Sequence, residues 1–437
     1  MKTNLKKLLY SGVTLMSLVV LAACSSTSSS TTTSSSAATS QTSVATISNN
    51  STSSDSSSST IDWSALPTTE VTLSNDGLKI TEGGTYILTG STTAGVTVET
   101  DANVRIILAG AEISSSDTAA INVINADNVE LEIKDGTTNT VKDTSNHTDT
   151  NIEGAIHVEA DLTITGNGSL TVEGNFQDGI VSTDDLIVNS GNITVTAVDD
   201  GIRGKDSLTI NGGTINVIAG GDGIKSTNDT DTTKGYTTIT GGEITVKAGD
   251  DGIKAETALT IDGGTITVSE SAEALEGTNI TINGGTLDVY GSDDAINAAS
   301  TTSSEIFIKV TGGDLKVAVG SGDTDAFDAN GDIYISGGTL DVYGSDDAIN
   351  AASTTSSEIF IKVTGGDLKV AVGSGDTDAF DANGDIYISG GTIDVTAQSA
   401  FDFDGTAELT GGTVTVNGEQ ITQITATGPG AGGHGGW

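Results

Sequence analysis

Along most of the chain apolar and polar residues alternate with period two in short runs, as in Leu259-Thr260-Ile261 and Ile266-Thr267-Val268. This alternation predicts strands of four or five residues, with β-branched side chains inward and Thr, Asp or Lys outward. A double glycine recurs between the runs, at Gly212-Gly213, Gly241-Gly242, Gly263-Gly264, Gly284-Gly285, Gly312-Gly313, Gly337-Gly338, Gly365-Gly366, Gly390-Gly391 and Gly411-Gly412. The intervals are 29, 22, 21, 28, 25, 28, 25 and 21 residues, and each reads as one coil of a solenoid. Thr286 to Gly338 recurs unchanged as Thr339 to Gly391, a shift of 53 residues. A closed globule could hardly accept that insertion, whereas a solenoid simply lengthens by two coils, because each coil touches only its neighbours. The expected fold is all-β: a right-handed single-stranded parallel β-helix of about a dozen coils. Variable coil length argues against the left-handed form, which keeps a strict hexapeptide beat. The β-helix is expected to span 61–427, with Trp63 to Glu99 as its first coils and cap, and a Gly-rich tail at 428–437.

The N-terminus changes the picture of where the solenoid resides. Lys2, Lys6 and Lys7 precede an apolar run from Leu8 to Ala23 and then Cys24, the only cysteine. That layout predicts an export signal over 1–23, ending in a lipobox-like Leu21-Ala22-Ala23-Cys24, with Cys24 diacylated as the new first residue. The Ser/Thr-rich stretch that follows Cys24 to residue 60 cannot bury enough apolar surface to fold, and reads as a disordered tether. The expectation is an exported protein, lipid-anchored to the outer face of the cell membrane in a Gram-positive type envelope.

Removing the signal leaves 14 of the 17 basic residues against 59 acids, a formal charge of 14 − 59 = −45. Nucleic acid and anionic lipid are poor partners for such a chain, and divalent cations better ones. The placement of the acids is regular. Asp178, Asp200, Asp222, Asp251, Glu273, Asp294, Asp325, Asp347, Asp378 and Ser399 open one station per coil, and nine of these ten are acidic. Stacked at about 4.8 Å, two bare carboxylates repel by about 3.5 kcal/mol at an effective dielectric near 20 and about 0.9 in water. Asp-Gly also suits a turn through its own side chain, which is the plain structural reading. Turn chemistry needs one Asp, yet the stations cluster several: Asp199 with Asp200, Asp250 with Asp251, Asp293 with Asp294, Asp346 with Asp347, and Asp323, Asp325 and Asp328 matched by Asp376, Asp378 and Asp381. With Asp222, these form the candidate Ca2+ ligand set, an oxygen-rich environment without soft donors.

Arg203, Lys225 and Lys254 follow the ladder at one phase in three successive coils. They read either as a salt-bridge strip or as a grip on uronate carboxylates. Period two also puts rings on the surface, at Tyr290, Phe307, Tyr334, Tyr343, Phe360 and Tyr387, where they would stack on sugars or pair across strands. Catalysis is unsupported by the sequence. A pectate-lyase-like enzyme would need a base such as Arg203, Lys205 or Lys225, and a hydrolase a carboxylate pair such as Asp199-Asp200. The only Gly-His-Gly, Gly433-His434-Gly435, lies in the tail, and His157 reads as an outward strand residue.

The lipobox, the Ser/Thr linker, stations such as Asp199-Asp200-Gly201-Ile202 and Asp250-Asp251-Gly252-Ile253, and Gly428-Pro429-Gly430 together resemble the bacterial carbohydrate-binding-domain-containing β-helix lipoproteins. The resemblance covers Trp63 to the C-terminus. It implies a right-handed β-helix, Ca2+ between coils, no known catalysis, and binding of cellulose and acidic polysaccharide such as pectate. The chain departs from the pattern at Glu273-Ala274, at Ser399-Ala400 and in its two-coil duplication. The expectation is a monomeric, non-catalytic, Ca2+-stabilised surface protein that binds uronate-rich or cellulosic polysaccharide. A pectate-lyase-like enzyme and a structural adhesin without a sugar ligand are the alternatives.

Overall fold

The computed structural model describes residues 61–303, 305–322, 324–353, 359–374 and 377–427. They form a parallel β-solenoid of about 14 turns. Each turn carries three strands, one on each of three faces, named here in the order the chain visits them. The first face holds Ser207–Ile210, the second Thr214–Ile218 and the third Ile224–Ser226, to take one turn. On the third face, strands pair in parallel from Leu78–Ile80 at one end to Ser399–Phe403 at the other, fourteen in all among the described residues. The expected dozen falls short because early turns bend without a double glycine, at Gly90, Gly110 or Gly166, whose φ values are 80, 87 and 88°.

Inward positions stack like on like. Ile180, Ile202, Ile224, Ile253, Leu275, Ile296, Phe327 and Ile349 run along the third face, all 0% exposed. Burying each such side chain contributes roughly 1.5–3 kcal/mol, so stability is spread along the axis rather than held in one centre. The double glycine makes the corner between first and second faces. Its second member is left-handed, as at Gly242 with φ 103°, and a Cβ there would lie 3.1 Å from the carbonyl oxygen of Gly213 one turn away. Both the backbone conformation and the stacking therefore require glycine.

A second glycine column opens the third face. A Cβ on Gly223 would lie 2.3 Å from Val246 Cγ1 and 2.6 Å from the Gly252 carbonyl oxygen. Overpacking of this kind typically costs about 1–3 kcal/mol. Gly223→Ala should lower the unfolding free energy by about 1.5 kcal/mol, measured by denaturant titration. A loss under a few tenths would show that the column has room. The far end closes with a hairpin, Glu419–Ile421 pairing antiparallel to Val414–Val416 through Asn417 and Gly418 at φ 50 and 84°, which folds chain over an otherwise open edge.

Candidate functional site

The acidic stations sit where the chain turns from second to third face, and parallel pairing brings them into one file. Seven are buried: Asp178, Asp200, Asp222, Asp251, Asp325, Asp347 and Asp378. Five of them, Asp178, Asp200, Asp222, Asp325 and Asp347, and the half-buried Asp294 use one oxygen on the backbone of the next turn. Oδ1 of Asp178 accepts the Asp200 N–H at 3.1 Å, Asp200 that of Asp222 at 2.9 Å, and Asp222 that of Asp251 at 2.9 Å. The series resumes with Asp294 to Asp325 at 2.7 Å, Asp325 to Asp347 at 2.8 Å and Asp347 to Asp378 at 2.7 Å. The file is thus a hydrogen-bonded spine in two runs, Asp178 to Asp251 and Asp294 to Asp378, with charge-assisted bonds that satisfy a corner N–H at each step within a run. This structural use of Asp goes beyond a local turn, since the bond runs between coils.

The second oxygen meets a neighbouring column, three residues further along each turn. Pairing across the third face sets that column in the order Arg203, Lys225, Lys254, Glu276, Asn297, Asp328, Asn350, Asp381, Asp402. Its sign changes along the axis. In the N-terminal part, Arg203 Nη2 reaches Asp178 Oδ2 at 2.8 Å and also contacts Glu153. Lys225 Nζ lies 2.6 Å from Asp200 Oδ2 and 2.9 Å from Asp222 Oδ2, and Lys254 Nζ lies 2.7 Å from Asp251 Oδ2 and also contacts Glu276. Neighbouring acids raise the pKa values of Arg203 and Lys225 against the opposing effect of burial. Burial pushes Asp178 up to about 7 even with Arg203 beside it.

From Glu276 onward the column holds no lysine or arginine. Burial first, and neighbouring acids next, push Asp328 up to about 7. Burial likewise lifts Asp347 to about 8, and Asp325 and Asp381 to about 6. Asn350 Nδ2 donates to Asp325 Oδ2 at 2.7 Å, a neutral donor where an ammonium stands in the N-terminal part. Carboxylate oxygens of Asp325, Asp346 and Asp347 lie within 4.8 Å of one another, as do those of Asp222, Asp250 and Asp251. The two clusters differ chemically. Lys225 and Lys254 already engage Asp222 and Asp251, while the Asp325 cluster offers only hard oxygen donors and fits a divalent cation.

The other sequence-derived candidates scatter over three faces. Asp199, Asp250 and Asp293 adjoin the spine, and Asp323, Asp376 and Cys24 lie outside the described residues. Tyr290 and Tyr343, 38% and 44% exposed, stand in one column of the second face, two turns apart with Ala318 between them. Phe307, Tyr334, Phe360 and Tyr387 point outward from the first face but are half-buried. Tyr334 meets Phe360 edge-on at 5.0 Å between centroids, Phe360 meets Tyr387 at 6.4 Å, and Tyr387 Oη donates to Asp385 at 2.5 Å. Those rings form a cross-strand ladder. His157 corrects the sequence reading: it occupies an outward phase but is 3% exposed, and burial with nearby Arg203 lowers its pKa to about 4.

A carbohydrate-binding domain-containing protein from Acetivibrio thermocellus is 33% identical over 135 residues, 29% of this chain and 47% of the relative. The chain thus spans about half the length of the curated relative it matches. A solved structure of a polysaccharide lyase-like protein from C. thermocellum, a gadolinium derivative, aligns with a TM-score of 0.47 and 32% identity, covering 48% of this chain and 93% of that one. Residues 74–326, more than half of the sequence, match the family model described as carbohydrate-binding domain-containing protein, and the chain belongs to that family.

Proposed function

We propose that the chain is a non-catalytic, lipid-anchored polysaccharide binder that holds Ca2+ along the C-terminal part of its acidic edge and bridges through it to uronate-rich polysaccharide such as polygalacturonate. The observation that carries this reading is the change of sign in the column beside the Asp spine, from Arg203, Lys225 and Lys254 to Asp328, Asn350 and Asp381. Carboxylates at coil spacing beside a column that supplies no lysine or arginine among the described residues favour another source of positive charge. Asp325, Asp346 and Asp347 would hold the ion, with Asp328 and Asp381 adjoining. Bound Ca2+ would supply the charge that a uronate carboxylate seeks. Exposed Tyr290 and Tyr343 offer rings for sugar stacking.

Binding without cleavage is supported by the state of Arg203 and Lys225, two of the three candidate bases. A lyase base must give up its proton near neutral pH. Arg203 and Lys225 instead lie against Asp178, Asp200 and Asp222, which hold their protons on. The test is affinity electrophoresis of the full chain on polygalacturonate with Ca2+ and with chelator, beside an assay for unsaturated product. Retardation only with Ca2+, and no product, is expected. Accumulating product that Arg203→Ala or Lys225→Ala abolishes would replace binding by a lyase activity.

A further inference from the structure

We infer that the chain carries a second glycan site, independent of Ca2+, in a walled groove at the corner between third and first faces, and that it takes an uncharged, hydroxyl-rich polysaccharide strand. This rests on the polysaccharide-binding reading but not on the metal. Four consecutive turns build most of the groove, and Asn330 of the next turn also lines it. Two tight corners, at Ala255–Thr257 and Gly277–Asn279, form its floor, and longer corners at Asn228–Asp231 and Ala299–Ser303 stand on either side, enclosing about 720 Å3. The walls rise from turns three coil spacings apart, about 14 Å, which suits one polysaccharide strand lying crosswise to the solenoid axis. A volume of this size is in the range of specific small-ligand sites.

The walls are fastened before any ligand arrives. Asn228 Nδ2 donates to Asp206 Oδ1 at 2.6 Å, and Asn228 Oδ1 accepts the N–H groups of Thr230 at 3.2 Å and Asp231 at 3.0 Å. In the facing wall Ser300 Oγ accepts the N–H groups of Thr302 at 3.2 Å and Ser303 at 3.0 Å. Such preorganisation removes most of the loop-ordering cost from binding. On the floor Thr257 Oγ1 donates to the Lys234 carbonyl at 2.7 Å and Thr278 Oγ1 to the Glu256 carbonyl at 2.9 Å. Each hydroxyl proton is therefore committed, which leaves these lining oxygens able to act only as acceptors toward a ligand.

Charge selects the ligand class. Asp229, Asp231, Glu256 and Glu276 line the groove against the single cation Lys254, whose ammonium already contacts Asp251 and Glu276. An acceptor-rich, negative lining repels a uronate chain and accepts hydrogen bonds from sugar hydroxyls. The groove is thus chemically distinct from the cation-seeking stretch at Asp325 and Asp347.

The experiment uses the full chain with a soluble neutral β-glucan and with polygalacturonate, each with Ca2+ and with chelator. Thr278→Trp fills the floor, and Thr302→Trp at an exposed wall position narrows the groove without touching the core. Expected is neutral-glycan binding that survives chelator and weakens at least tenfold in both variants, while Ca2+-dependent polygalacturonate binding is unchanged. Neutral-glycan binding retained by both folded variants, or absent from the unaltered chain that still binds polygalacturonate, overturns the inference. Absence of binding to both polysaccharides overturns the polysaccharide reading itself.

Discussion

Stripped of divalent cations, the chain should lose stability as pH rises from about 4 to about 8, and Ca2+ should restore what was lost. Asp325 and Asp381 are raised from the ordinary 3.8 to about 6, Asp328 to about 7 and Asp347 to about 8, each first by burial. Well below the ordinary 3.8 these acids are protonated both folded and unfolded, so they contribute no pH-dependent difference there. Between 4 and 8 the unfolded chain releases protons that the folded chain retains, and unfolding gains free energy with every step. One pK unit on one group corresponds to about 1.4 kcal/mol. The four carboxylates lie along one edge and repel one another, so their shifts do not add and the expected loss is on the order of 3 kcal/mol across the window. Ca2+ binds the ionised form. At a hundredfold excess over its Kd it adds about 2.7 kcal/mol to the folded state. Denaturant titrations at pH 4, 6 and 8, in chelator and in Ca2+, measure both effects. A chelated chain whose stability stays level or rises over that window, with no response to Ca2+, would remove the physical basis for a metal on this edge.

The solenoid was legible because its signals are local and repeated. Ile266-Thr267-Val268 reveals its inward and outward residues within one strand, and Gly263-Gly264 marks its own corner. Even the acidic file followed from spacing, since one station per coil stacks in register whatever the exact pitch. What spacing left open was the second partner of each carboxylate. Asp200 Oδ1 binds the N–H of Asp222 in the next turn, while Oδ2 receives Lys225, and that division depends on the orientation of a side chain between two coils. The alternation of Arg203, Lys225 and Lys254 with Asp328, Asn350 and Asp381 is written in the sequence. Its meaning is not, until pairing shows that all six share a column. The groove left a fainter trace. Intervals of 29, 22, 21 and 28 residues between double glycines place two short corners between two long ones, a pattern that lengths alone record but only a shared corner turns into a cavity. The first-face rings went the other way. Phe360 points outward as alternation requires, yet Tyr334 and Tyr387 cover it from the turns on either side, because rings on adjacent coils are close enough to bury one another.

If the sign of the column decides where metal goes, one residue should move the boundary. Asn350 stands to Asp325 and Asp347 as Lys225 stands to Asp200 and Asp222: three residues after the station of its own turn, beside the station of the turn before. Asn350→Lys should therefore carry an ammonium into the Asp325 cluster, just as Lys225 meets Oδ2 of Asp200 and Asp222 at 2.6 and 2.9 Å. The added charge satisfies electrostatically what Ca2+ otherwise satisfies. In chelator the variant should be more stable than the parent at pH 8, and its pH dependence shallower, since an ammonium favours the ionised form of Asp325 and Asp347. Ca2+ affinity at this cluster should fall about a hundredfold, which is about 2.7 kcal/mol, because the ion must now displace or repel a fixed cation. Calorimetric titration with Ca2+ and melting in chelator measure the two halves of the exchange. Asn350→Asp, which adds a carboxylate where the lysine would go, should shift both quantities in the opposite direction. A lysine variant that binds Ca2+ as tightly as the parent would show that the ion sits elsewhere, and that the acids around Asp325 are held by the spine alone.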